Sequence, residues 1–209
     1  MKKSQKKLAK FLTSWENQLV NLPNIITMSR IPMLFLIGLF FYLSFPFSKT
    51  LAFILYVIAG VTDWLDGYIA RKYNQISDLG KLIDALNDKI FTVGIFLLLA
   101  GKGLIPTWGI FCALIIICRE FFITGLRTLI AKSGVVMAAE RLGKLKTILQ
   151  IVVLGSFFLI EMLRIDAVSW CPSRFVTFLV YVNFTNFALM TVLTAYSGYN
   201  YLKKYHKFL

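Results

Sequence analysis

Four aspartates offer the chemistry that stands out in this chain. Asp63 and Asp66 are three residues apart, and Asp84 and Asp88 are four apart. On a helix such pairs share one face. A short connection joins the two stretches, so two antiparallel neighbouring helices would bring both acidic faces together. Carboxylates gathered away from water repel one another and resist desolvation. Divalent metal relieves both costs. An all-oxygen donor set suits Mg2+, Mn2+ or Ca2+ rather than Zn2+.

A second group of residues is basic. Arg119, Thr124 and Arg127 fall in Cys-Arg-Glu-Phe-Phe-Ile-Thr-Gly-Leu-Arg, within an otherwise apolar run. The two arginines are eight positions apart, a little over two turns, so they lie near one face with Thr124 between. Lys144 and Lys146 follow in Gly-Lys-Leu-Lys-Thr-Ile-Leu-Gln. Cations facing an acidic metal centre are what phosphate binding requires. For Arg141, Lys144 and Lys146 the plainer reading is a loop obeying the positive-inside rule. Arg30 lies about two turns into an apolar stretch, where a charge demands a partner. Asn24 or Asn21 could cap that helix, and the exposed N–H groups there favour an anion. Gly67 leaves room for close helix packing or for a ligand. Asp78 reads as a helix cap.

The elements that must position these groups are membrane helices. The chain has 209 residues, 58% hydrophobic, with 19 Phe, and its apolar runs are long. The pattern predicts an all-α polytopic membrane protein with six transmembrane helices at about 25–46, 50–71, 80–100, 105–131, 143–163 and 176–202. Residues 1–20 read as a basic amphipathic helix on the inner leaflet, with Phe11, Leu12, Trp15 and Leu19 at helical spacing. Residues 21–209 then form one transmembrane domain. No small-residue cleavage site follows a short apolar region, so a removed signal peptide is not expected. Internal repeats and linkers are not evident.

Net charge is +13. In a soluble protein that would suggest nucleic acid, but here the charge is sorted by loop. Lys2, Lys3, Lys6, Lys7, Lys10, Arg71, Lys72, Lys81, Lys132, Arg141, Lys144, Lys146, Lys203, Lys204 and Lys207 fall on one side. Lys49, Lys102, Arg164 and Arg174 fall on the other. That bias predicts a cytoplasmic membrane protein with both termini and the aspartates facing the cytoplasm. Cys112, Cys118 and Cys171 lack metal spacing and read as packing residues. His206, the single histidine, sits in a basic tail.

Asp63-x-x-Asp66-Gly67-x-x-Ala70-Arg71 followed by Gly80-x-x-x-Asp84-x-x-x-Asp88 resembles the signature of the CDP-alcohol phosphotransferases. All eight fixed positions match. Ala85 and Asn87 stand where proline and alanine are frequent, and only local packing changes are expected from them. Pro-Asn-x-x-Thr-x-x-Arg at residues 23–30 is similar to the family's first helix. Arg-Glu-x-x-x-Thr-Gly-x-Arg, Gly-Lys-x-Lys-Thr-x-x-Gln and the terminal Thr194–Lys203 string resemble the phosphatidylglycerophosphate synthase branch. The likeness covers about residues 21 to 204.

The resemblance implies transfer of a phosphatidyl group from CDP-diacylglycerol to sn-glycerol 3-phosphate, releasing CMP. It implies two Mg2+ or Mn2+ ions held by Asp63, Asp66, Asp84 and Asp88, with Asp88 also the general base. Asn24, Thr27, Asp66, Gly67, Ala70, Arg71 and Gly80 would hold the nucleotide. Arg119, Thr124, Arg127, Lys144 and Lys146 would bind the acceptor phosphate. Family members look like homodimers. The nearest rival is the same chemistry with inositol phosphate or serine as acceptor. A divalent-cation transporter is a further alternative, although transporters place such groups near the bilayer midplane. A purely structural membrane protein leaves the cost of the aspartates unexplained.

Overall fold

The computed structural model describes residues 22–72, 78–132 and 141–205. The predicted amphipathic helix of residues 1–20 and His206 lie outside the described residues. So do the side chains of Ala70, Arg71, Asp78 and Lys144. Six helices make up the described chain: α1 Leu22–Tyr42, α2 Ser48–Lys72, α3 Asp78–Gly101, α4 Thr107–Lys132, α5 Arg141–Ile165 and α6 Ser173–Tyr205. The six expected spans all appear, each within a few residues of its expected bounds.

Five of the six are long and apolar enough to cross a membrane. The other, α3, carries Asp84, Asp88 and Lys89 in its first half. Those charges interrupt its apolar stretch and end the uniform run at Ile90. Side chains such as Phe35 and Leu97 are 74% and 67% exposed on the outside of the bundle. In lipid such surface is satisfied, because the surroundings are as apolar as the side chain.

The helices close into a ring. α1 packs on α2 and α3, α2 on α5, α5 on α6, and α6 on α4, while α4 meets α3. Among the described residues the two aspartate helices share little packing along their lengths. α1 lies against both, and they meet at their aspartate ends. Small residues allow its approach to α3. A Cβ at Gly94 would come within 2.4 Å of Leu34, and one at Gly38 within 2.9 Å of Leu98.

Phe41, Phe158 and Tyr56 build the centre of the core. The Phe41 and Phe158 rings lie 4.7 Å apart, and Tyr56 stacks on Phe158 at 5.2 Å. The Tyr56 hydroxyl donates to the Ile151 carbonyl at 2.9 Å, joining α2 to α5. At the end of the bundle away from the aspartates, polar side chains finish the helices. Lys49 Nζ donates to the Phe41 and Leu43 carbonyls at 2.9 and 2.5 Å, capping α1. Asp166 Oδ2 accepts from Thr50 N and Oγ1 at 2.7 and 2.8 Å, capping α2 from the loop after α5.

Candidate metal and substrate site

The site forms at the opposite end, where the C-terminal part of α2 meets the N-terminal parts of α1 and α3. One carboxylate oxygen from each of Asp63, Asp66 and Asp84 lies within 4.8 Å of the other two. Asp66 is buried, Asp63 half-buried and Asp84 exposed, so the group opens outward from the bundle. α1 holds it in place. Thr27 Oγ1 donates to Asp66 Oδ2 at 2.7 Å. Arg30, 3% exposed, pairs with Asp63 and lies 3.9 Å from Asp88 Oδ1. Its guanidinium carbon sits 5.0 Å from the centre of the Phe91 ring. The apolar location of Arg30 on the sequence is thus resolved by two carboxylates and an aromatic face.

Asn87 adds a second tie to α1. It is 2% exposed, and its Nδ2 donates to the Thr27 carbonyl at 2.6 Å. The residue that departs from the usual alanine is therefore a polar latch between α3 and α1, a larger effect than altered packing. Asn24 is also buried near the start of α1. Gly67 and Gly80 are half-buried on α2 and α3, and Ala70 and Arg71 follow on α2.

The donor set fits divalent metal. Three carboxylates from two helices can each offer one hard oxygen to a common centre, which is the ligand chemistry of Mg2+ or Mn2+. Asp88 is not in this close trio. Its carboxylate faces Arg30 and the neighbouring basic pocket instead.

That pocket has a volume of about 440 Å³ and lies between α3, α4, α5 and α6. Asp88, Arg119, Thr124, Arg127 and Lys146 all line it. Four of the five expected acceptor-binding residues, all but Lys144, whose side chain is not described, thus converge beside Asp88. α6 orients the arginines. Arg119 Nη2 donates to Ser197 Oγ at 2.8 Å. Arg127 donates from Nε and Nη2 to the Tyr201 hydroxyl at 3.2 and 2.9 Å, over the face of its ring. Gly198 gives Arg119 its path, because a Cβ there would come within 2.9 Å of Arg119 Cγ. Lys146 pairs with Glu120, whose backbone carbonyl accepts from Lys89 Nζ at 3.2 Å. Adjacent helix residues do not face each other, and Glu120 indeed serves Lys146 on α5 rather than Arg119.

Sequence reasoning left Lys89, Glu120, Asn87 and Tyr201 out of the site. The strings around them contained the signal, since each is a polar group in an apolar run or flanks a fixed aspartate.

The described helices thus set three carboxylates that could hold a metal ion beside a pocket lined by cations. Residues 20–196 match the family model described as CDP-alcohol phosphatidyltransferase, and the chain belongs to that family, whose members use divalent metal, a CDP-alcohol and an acceptor alcohol. The chain is 35% identical over 196 residues to a Bacillus subtilis (strain 168) protein, covering 88% of this chain and 94% of that one. It is 34% identical over 193 residues to one from Rickettsia bellii (strain RML369-C), covering 90% and 97%. It is 30% identical over 184 residues to one from Pectobacterium atrosepticum, covering 87% and 93%. All three relatives carry the name CDP-diacylglycerol--glycerol-3-phosphate 3-phosphatidyltransferase.

Proposed function

We propose that the chain transfers the phosphatidyl group of CDP-diacylglycerol to sn-glycerol 3-phosphate, giving phosphatidylglycerophosphate and CMP. One observation carries this choice of acceptor. Asp88 stands on the wall of a pocket that also holds Arg119, Arg127 and Lys146. An acceptor bearing a dianionic phosphate can place that group on the cations and still reach the carboxylate with a hydroxyl. Serine brings only a monoanionic carboxylate, and with it an ammonium group that the cations repel.

Asp63, Asp66 and Asp84, with Asp88 contributing, would hold two Mg2+ or Mn2+ ions. Such ions supply Lewis acidity to the pyrophosphate oxygens and neutralise charge on the leaving group. The protein's own groups do the rest. Asp88 takes the proton from the acceptor hydroxyl. That oxygen forms a new bond to the phosphorus bearing the diacylglycerol. The bond from this phosphorus to the bridging oxygen breaks, and CMP leaves with the electron pair. Arg119, Thr124, Arg127, Lys144 and Lys146 fix the acceptor phosphate, which makes the attack effectively intramolecular. Asn24, Thr27, Gly67, Ala70, Arg71 and Gly80, with Asp66, hold the cytidine nucleotide, the small residues letting it approach α2 and α3.

The loop charges favour a site on the cytoplasmic side of the cell membrane with both termini inside. There the lipid donor and the soluble acceptor meet. We further propose that the enzyme works as a homodimer.

The test is CMP release from CDP-diacylglycerol with glycerol 3-phosphate, inositol phosphate or serine supplied in turn. Stimulation by glycerol 3-phosphate above the others is expected, and its absence refutes the acceptor assignment. Asp88→Asn is expected to lower turnover by about 10²-fold or more, the scale of a general base, while melting as the parent does. An Asp88→Asn enzyme with parental turnover removes Asp88 as the base.

A further inference from the structure

Between the aspartates and the basic pocket lies a smaller chamber of about 60 Å³. Asp88, Glu120 and Thr147 wall both spaces, so the chamber adjoins the pocket. Arg30, Tyr56, Asp63, Thr92 and Gln150 complete its polar lining. Gln150 is 6% exposed on α5. Its Nε2 faces Thr92 Oγ1 at 3.4 Å, a long hydrogen bond. Its Oε1 is buried and has no hydrogen-bond partner. A buried acceptor left unmade costs free energy, so such atoms occur where a ligand or water completes them.

We infer that Gln150 Oε1 accepts a hydrogen bond from the middle hydroxyl of the acceptor, making Gln150 a specificity-determining residue for a vicinal diol phosphate. The inference rests on the glycerol phosphate reading above and adds to it. Glycerol 3-phosphate has its phosphate at one end, a primary hydroxyl at the other and a secondary hydroxyl between. The structure offers a polar station for each of the three groups. The cations of the basic pocket take the phosphate. Asp88, on the shared wall, takes the proton of the terminal hydroxyl. Gln150, which lines the chamber and not the pocket, meets the secondary hydroxyl next to the one that reacts. The chamber has room for a hydroxymethylene-sized group beside Gln150. Engaging the secondary hydroxyl also keeps it from competing as the nucleophile.

The experiment compares glycerol 3-phosphate with 3-hydroxypropyl phosphate, which lacks only the middle hydroxyl, using the full-length enzyme with CDP-diacylglycerol and divalent metal. The parent enzyme is expected to favour glycerol 3-phosphate by about 10- to 100-fold in kcat/KM, the scale for leaving a buried acceptor unpaired. In Gln150→Leu the preference is expected to fall to within about threefold of unity, because one hydrogen bond no longer separates the substrates. The loss should fall on glycerol 3-phosphate, with turnover of the analogue retained. A parent enzyme that uses both acceptors equally overturns the inference, as would happen if a resident water satisfies Oε1. So does a Gln150→Leu enzyme that keeps the parental preference, or one that loses both acceptors alike. If Gln150→Leu does not fold, Gln150→Met keeps the unbranched shape without the amide and is read the same way. Failure of the parent enzyme to use glycerol 3-phosphate at all refutes the underlying reading; equal use of both phosphates refutes the inference alone.

Discussion

Replacing Arg30 by Met tests how the acidic centre is held. Arg30 is 3% exposed, and its side chain pairs with Asp63 while approaching Asp88. Removing one partner of a buried ion pair costs about 3–5 kcal/mol, since the other charge stays behind. Here the carboxylates are the wetter partners, their side chains 35% and 52% exposed. Solvent screening therefore reduces the expected cost to about 1–3 kcal/mol. For a chain of this size that is a fall of roughly 2–12 °C in melting temperature. The assay is thermal unfolding of the purified protein in detergent, with EDTA or with Mg2+. Metal binding to the folded state adds stability by mass action, and a centre stripped of its guanidinium gains more from it. The Met variant should thus lose most in EDTA and regain part of the deficit in Mg2+. Asp63→Asn combined with Arg30→Met should destabilise by less than the two single changes added together. Parental melting of Arg30→Met in EDTA, or strictly additive effects in the double variant, would refute the idea that this guanidinium balances the aspartates.

Two further outcomes are expected. Tyr201→Phe removes the hydroxyl that receives both Arg127 donors; the KM for glycerol 3-phosphate should rise about 3- to 10-fold, on the scale of one net hydrogen bond, with kcat little changed. Gly94→Val should destabilise by about 1–3 kcal/mol, the cost of overpacking, because even a Cβ there would meet Leu34 at 2.4 Å. Adding Leu34→Ala should restore part of that loss, and a denaturation midpoint unaffected by the second change would show that the two helices do not touch there.

The helices and the acidic pairs were legible in the sequence because both depend on local spacing. Asp63 with Asp66, and Asp84 with Asp88, needed only the period of the α-helix to be placed on shared faces. Arg119 and Arg127 were legible for the same reason. What the sequence did not reveal was which helix stands beside which. Arg30 finds Asp63 thirty-three positions away, and Asn87 reaches back sixty positions to Thr27. No local rule predicts such pairs. The short connection between α2 and α3 suggested direct packing, but close approach at Gly38 and Gly94 lets α1 lie against α3. Asn87 looked like a tolerated neighbour of Asp88, since its partner is a backbone carbonyl that any residue type could have supplied. Gln150 is similarly silent, because its significance lies in an atom without a partner.

The ring of helices divides its charges in the order of the chain. The acidic centre and the guanidinium that balances it both belong to the first three helices. The last three contain a balanced pair of their own, Glu120 with Lys146. Chains are made and inserted from the N-terminus onward, and an uncompensated charge in hydrocarbon is costly. Arg30 can therefore enter the bilayer already matched by the aspartates of its own half, whereas Lys89 on α3 finds its carbonyl partner only once α4 has followed.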